Sequence, residues 1–392
     1  MQNKLLILVA AILLTGLALT SCGQAVVVPN GINFPKDSLI KEQLINSLNG
    51  LLVQMEQPAS KNEFILKREL LETSTLMDEM KEMSQNVKLK DKDFYKFYLD
   101  NVVQLEDDNF LVQLCYIGIT EGNPVFRAGF KLLAKKEDNK FYFYSPLKQN
   151  TRAWKSKTIN RTTYHFKDTL NITDVKEYQK TLNLYDRKLK APVYPTEFYY
   201  CDNLPEVLQL IGVDYKLDYN GRKNDNLTAH ENNINLVLNG WTSNKYSFDP
   251  HDLWHERLRT VMNSEVINRP VDEGCAYLYG GSWGLTWIQV LTSFITYATA
   301  HPNANWEALY ISFENYTNGD KPLKVPYAIN ALIVENIEKE KGFDAVMALL
   351  ACGKRENGDA NYFSTLEKIT GVNRTSFNSY VWKLLKQHKL KM

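Results

Sequence analysis

The chain has 392 residues, and its 46 lysines and arginines nearly balance its 45 aspartates and glutamates. That balance excludes an overall electrostatic footprint for nucleic acid or for anionic lipid. With 44% hydrophobic residues the chain has ample material for packed cores, and its length suggests two domains.

Residues 1–22 read as a secretory signal. Lys4 precedes an apolar run from Leu5 to Leu19, which is followed by Thr20-Ser-Cys22. The run is short for a spanning helix, which needs ~20 apolar residues. Leu19-Thr-Ser-Cys22 resembles a bacterial lipobox, which implies acylation of Cys22 as the first residue of the mature chain. The expected location is the cell envelope, with the membrane reached through an N-terminal lipid. Cys115, Cys201, Cys275 and Cys352 remain after Cys22, and their wide, irregular spacing predicts mostly buried free thiols.

Residues 23–36 read as a tether and 37–150 as an α+β domain. Apolar residues at helical spacing predict one helix from Asp37 to about Met55 and a second from Lys61 to about Gln85. Strand-like runs follow at Asn109–Ile119, Gly129–Ala134 and Lys140–Ser145, and Asp138-Asn139 suits a hairpin turn. Helices followed by an antiparallel sheet make the α+β class. Residues 151–190 are polar and charged and read as a connector, with weak helical character around Asp174–Leu184.

The second domain is expected over 191–390. Its early part carries a strand candidate at Phe198–Cys201, a helix from Leu204 to Ile211 ending at Gly212, a turn at Asn220-Gly221 and an alternating strand over Asn233–Asn239. Then comes Phe248-Asp-Pro-His-Asp-Leu-Trp-His-Glu-Arg-Leu258. His251 and His255 are four apart, so a helix puts both imidazoles on one face, a spacing that presents two nitrogen ligands to Zn²⁺. Asp249 suits the N-cap and Pro250 the first turn. A third ligand must come from elsewhere, and Glu273, in Pro270-Val-Asp-Glu-Gly-Cys-Ala-Tyr277, is the best candidate. After Gly280-Gly281 the chain reads as helical: Thr286–Ala300, Tyr327–Lys341, Gly342–Ala351, Asn361–Ile369 and Ser376–Lys386.

His-x-x-x-His followed by Glu-Gly-Cys-Ala-Tyr resembles the zinc site of gluzincin metallopeptidases, in particular peptidase MA-like domains. Their HExxH helix is followed by a helix bearing E-G-x-A-x-Y. The resemblance covers roughly 191–390, with its sharp motif confined to 251–279. It implies a zincin-like domain with a small sheet and a helical tail. It also implies Zn²⁺ held by His251, His255 and Glu273, and a peptide or protein substrate lying along the edge of a sheet just before the metal helix. Two departures stand out: the Tyr comes one place early, at 277, and Asp252 occupies the position of the general-base Glu. Asp is one methylene shorter, a retreat of roughly 1 Å that can cost on the order of 10²-fold in rate. Tyr327, opening a helix after Pro326, is the candidate to stabilise an oxyanion. The competing expectation is a catalytically impaired pseudopeptidase that binds a peptide, protein or glycan through the same cleft.

Overall fold

The computed structural model describes residues 25–34, 38–83, 86, 88–106, 108–217, 225–242 and 247–389. Cys22 and the Asn220-Gly221 turn lie outside the described residues. The fold is α+β, and its packing divides the chain into two units. The first takes its described residues from Met1–Thr169 and Tyr194–Asn244, the second from Leu170–Val193 and Lys245–Met392.

The first unit begins with helices α1 (Ser38–Val53) and α2 (Leu70–Glu82). Strands β1 (Lys96–Gln104), β2 (Asn109–Thr120), β3 (Asn123–Glu137) and β4 (Lys140–Tyr144) follow as an antiparallel sheet in that order. The two-residue turn at Asp138-Asn139 leaves Glu137 opposite Lys140, as expected. On β2, Phe110, Val112, Leu114 and Tyr116 alternate into the core, where they join Leu44, Leu48 and Leu51 of α1 and Leu76 and Met80 of α2. Helix α2 starts later than the sequence suggests. Residues 64–66 instead run beside β4, with Phe143 donating to the Phe64 carbonyl at 2.7 Å and Leu66 to the Phe143 carbonyl at 3.0 Å.

A one-turn helix α3 (Leu147–Asn150) leads to β5 (Lys155–Ile159) and β6 (Thr162–Phe166), after which the chain leaves for the second unit as α4 (Ile172–Leu189). It returns with β7 (Thr196–Tyr200), α5 (Leu204–Ile211), β8 (Val213–Lys216), β9 (Asn226–Glu231) and β10 (Ile234–Asn239). β8 adds to β3, while a second sheet runs β5-β6-β7-β10-β9, parallel across β6-β7-β10 and antiparallel at both margins. The stretch read as a connector is thus one margin strand of this sheet and its inner neighbour, followed by a helix of the other unit. The strands expected to open the second domain, 198–201 and 233–239, pack with the first. β7 joins them to β6, which lies earlier in the chain, a pairing that no local pattern encodes.

The second unit is largely helical. It contains α4, α6 (Pro250–Arg259), α7 (Arg269–Gly280), α8 (Trp287–Ala300), α9 (Trp306–Ile311), the hairpin β11 (Asn315–Asn318) and β12 (Lys321–Lys324), then α10 (Val325–Lys341), α11 (Phe343–Leu350), α12 (Ala360–Thr370) and α13 (Arg374–Lys389). Helix α10 runs through the middle, with every residue from Val325 to Val334 buried. Burial of side chains such as Ile329, Ile333 and Val334 is worth about 1.5–3 kcal/mol each relative to exposure. Helix α7 lies against α10 so closely that a Cβ added at Gly274 would sit 2.5 Å from the Asn330 Cβ. Helix α4 is clamped to α6 by Arg257, whose Nε donates to Asp186 Oδ1 at 2.6 Å, and by the Tyr185 hydroxyl, which donates to the Pro250 carbonyl at 3.1 Å. Among the described residues no helix is long and apolar enough to cross a membrane.

Candidate metal centre

Helix α6 starts where the sequence predicts. The Asp249 side chain caps it by accepting from the His251 N–H at 2.9 Å, and Pro250 fills the first helical position, where a missing N–H costs nothing. The 3.6-residue repeat then sets His251 and His255 on one face, and Leu253, Trp254 and Leu258 are buried beneath the helix. Helix α7 crosses against this face. Its last residue, Gly280, touches the start of α6: a Cβ there would lie 2.5 Å from the His251 N atom. This close packing brings Glu273 opposite the two imidazoles.

The three ligating atoms converge. His251 Nε2 and His255 Nε2 are 3.2 Å apart, and Glu273 Oε2 lies 3.5 Å from the first and 4.0 Å from the second. A triangle with these sides has a circumscribed radius of about 2.1 Å, the length of a bond from a divalent metal to nitrogen or oxygen. The ring orientations agree with that use. His251 Nδ1–H donates to the Gly281 carbonyl at 2.8 Å, and His255 Nδ1–H donates to Asp272 Oδ1 at 2.9 Å. With its proton held at Nδ1, each neutral ring turns an Nε2 lone pair inward. Two lone pairs 3.2 Å apart repel unless a cation, either a metal ion or a proton, lies beside them. The group His251, His255 and Glu273 is therefore able to hold a metal ion.

The electrostatics describe the proton's alternative. Burial disfavours a charged His251 ring, but the hydrogen bonds to Glu273 and the Gly281 carbonyl, with the charges of Glu273 and Asp249, outweigh it and push the pKa up to about 9. Burial likewise opposes an ionised Glu273. The His251 hydrogen bond and the charges of His255, His251 and Arg269 prevail and hold its carboxyl below the usual range.

Asp272 is a site residue to which the sequence analysis assigns no role. Its carboxylate is buried, and Oδ1 accepts from both His255 Nδ1 and the Trp254 indole N–H, the latter at 3.1 Å. An acceptor of this kind fixes the ring and raises its basicity as a ligand. The one signal available for it was adjacency, since a residue next to Glu273 on a helix points about 100° around the axis. Asp252 is half-buried on α6, one residue past His251. Tyr327 is buried in the first turn of α10, edge-on to Tyr277 with ring centroids 5.6 Å apart. Burial, then the Glu273 charge, raises its phenol pKa, while Arg269 draws it down. Tyr277, the early tyrosine, has its ring 5.9 Å from that of His251.

The remaining histidines with a chemical option do other work. His165 pairs with Glu197 at 2.6 Å and stacks on Tyr199, and His230 bonds Asn235 at 2.7 Å, both in the first unit. Cys115, Cys201, Cys275 and Cys352 are free thiols, the middle two buried and the outer two half-buried. An open recess along α4, lined by Lys180, Asn183, Asp186, Arg187, Ala191 and Val193, contains none of the clustered ligands.

Compared with known proteins, the chain matches no family model and no curated protein.

Proposed function

We propose that the second unit is a zinc metallopeptidase-like domain that hydrolyses peptide bonds. The observation that carries the proposal is the convergence of His251 Nε2, His255 Nε2 and Glu273 Oε2, with both rings anchored through Nδ1. Two neutral imidazoles and one carboxylate suit zinc among the common metals, and three protein ligands leave a position for water or substrate. Zinc bound there would polarise a carbonyl and acidify water. Asp252 is the group assigned to accept the proton and deliver it to the leaving amine. Tyr327, beside Glu273, is assigned to donate to the oxygen on which charge develops. The motif resemblance around 251–279 supports the same reading.

A second reading, binding without cleavage, draws on Asp252 itself, because its carboxylate stops one methylene short of a glutamate's. The two readings separate in one series. Zinc content of the chain lacking residues 1–22 is measured beside Glu273→Ala, and peptide hydrolysis beside Asp252→Ala and Asp252→Glu. About one zinc per chain, lost in Glu273→Ala, supports the metal site. Hydrolysis lost in Asp252→Ala supports the peptidase, whereas retained zinc without hydrolysis in any variant supports binding alone. No zinc in a folded chain removes the zinc-peptidase reading and leaves binding alone. We also propose attachment to the cell envelope through a lipid on Cys22, which predicts incorporation of labelled fatty acid that Cys22→Ala abolishes.

A further inference from the structure

We propose that Arg269 docks a carboxylate of the peptide, so that the bond presented to the metal group lies within about two residues of that carboxylate. The inference rests on the zinc-peptidase reading of the same site and adds its substrate class. Arg269 is the first residue of α7, one turn before Glu273, and its side chain is 76% exposed. Glu273 divides its two oxygens: Oε2 faces the imidazoles, and Oε1 lies 3.5 Å from Arg269 Nε. That contact is loose. Arginine–carboxylate pairs close to about 2.7–2.9 Å and engage two N–H groups when the guanidinium is committed to them. Here Nε lies 3.5 Å from the Glu273 oxygen, and the guanidinium also acts electrostatically on the Tyr327 phenol. Of its five donors, most remain for a ligand.

The surroundings favour an anion. Beyond Tyr327, the Phe313 ring sits 5.7 Å away and carries two further cations, the Arg355 guanidinium at 4.3 Å and Lys324 Nζ at 5.8 Å. Arg355 is matched by the buried Asp359, but Lys324 Nζ donates to the neutral Asn315 amide at 2.8 Å. Among the described residues no carboxylate pairs with Lys324, so this side of the site offers two loosely committed cations, Arg269 and Lys324. From Glu273 Oε2 across the carboxylate to Arg269 is at most roughly 6 Å, about two residues of extended peptide. A carboxylate on the guanidinium would thus lay one of the last bonds before it at the metal group. Hydrolysis there adds water across the C–N bond: hydroxyl goes to the carbonyl carbon and a proton to the amine that leaves with the docked residue. The carboxylate can be the chain terminus or an acidic side chain, and the test separates the two.

Three acetyl-tripeptide libraries are titrated into the zinc-loaded chain lacking residues 1–22 and carrying Asp252→Asn to suppress turnover. One ends in a free carboxylate, one in an amide, and one in an amidated Asp or Glu. The expected result is binding of the free acids about tenfold or more tighter than the plain amides. In Arg269→Gln the ratio falls to near one while zinc content is retained, and Arg269→Lys restores part of it. Acidic amides that match the free acids would assign the docked group to a side chain; acidic amides that match the plain amides would assign it to the terminus. Equal binding of all three libraries, no binding of any, or a preference that survives Arg269→Gln overturns the proposal. Cleavage of amides by the wild-type chain without acid preference leaves the peptidase standing and removes the role of Arg269. Acid-selective binding without cleavage does the reverse.

Discussion

Replacing Asp272 probes the site through a residue that does not itself reach the metal position. One oxygen, Oδ1, accepts from two buried donors, the His255 ring and the Trp254 indole. Asp272→Ala orphans both. Each buried donor left without an acceptor costs about 1–3 kcal/mol, so the metal-free chain should lose roughly 2–6 kcal/mol in urea unfolding. Releasing the His255 ring should also weaken zinc binding by about 10- to 100-fold, the usual cost of losing the group behind a ligating histidine. Asp272→Asn separates geometry from charge. Its amide oxygen can occupy the place of Oδ1 and accept both bonds, so stability should move by less than about 1 kcal/mol. Only the negative charge behind the ring is lost, and affinity should fall near the tenfold end of the range. Zinc affinity is read by competition with a chromophoric chelator, and stability by denaturant titration of the stripped protein. Unchanged zinc affinity in Asp272→Ala would refute the claim that His255 is held through Nδ1 in order to ligate through Nε2. Equal loss in both variants would show that the charge, not the acceptor geometry, carries the effect.

Zinc binding should release close to one proton at pH 7. The folded His251 ring, at about 9, is protonated there, and ligation needs it neutral. Calorimetry in buffers of different ionisation enthalpy measures the count, and apparent affinity should rise about tenfold per pH unit from 7 towards 9; a count near zero contradicts the assignment. Gly274→Ala should destabilise the second unit by about 1–3 kcal/mol or more, because its Cβ would meet the Asn330 Cβ at 2.5 Å and backbone atoms at 2.8 and 2.9 Å. A variant as stable as the parent in urea would show that α7 and α10 can part. Asp186→Ala leaves the Arg257 guanidinium, 10% exposed, without its carboxylate. The expected loss is about 3–5 kcal/mol, measured by the same titration; a loss below 1 kcal/mol would mean that α4 does not hold α6.

What could be read from the sequence follows the range of the interactions involved. The helix of His251 and His255 is specified within a single turn by Asp249, Pro250 and a four-residue spacing, and the helix of Glu273 follows after a short connection, so the cluster was legible. The α1 periodicity and the Asp138-Asn139 turn are equally local. Legibility ends where a partner is distant in the chain. Strands β5 and β6, Lys-Ser-Lys-Thr-Ile and Thr-Thr-Tyr-His-Phe, have little apolar alternation, and they become strands because β6 lies beside β7, with Thr162 opposite Thr196, 34 residues on. The β11–β12 hairpin is local, yet it is hard to read because its strands are polar and one contains Pro322. Asp272 obeys this rule at the site itself. Its place on the helix is local, but its role exists only because α7 crosses α6 and delivers Oδ1 to two donors 17 and 18 residues earlier. Ligands can be recognised by their own chemistry, whereas the group that orients a ligand has no chemistry of its own to declare. It is defined by the crossing of two helices, which in turn depends on Gly280 having no side chain against the start of α6. The Gly of the Glu-Gly pair acts at one remove, by letting α7 lie against α10, while Gly280 sets how near α7 can come to the helix of the two histidines.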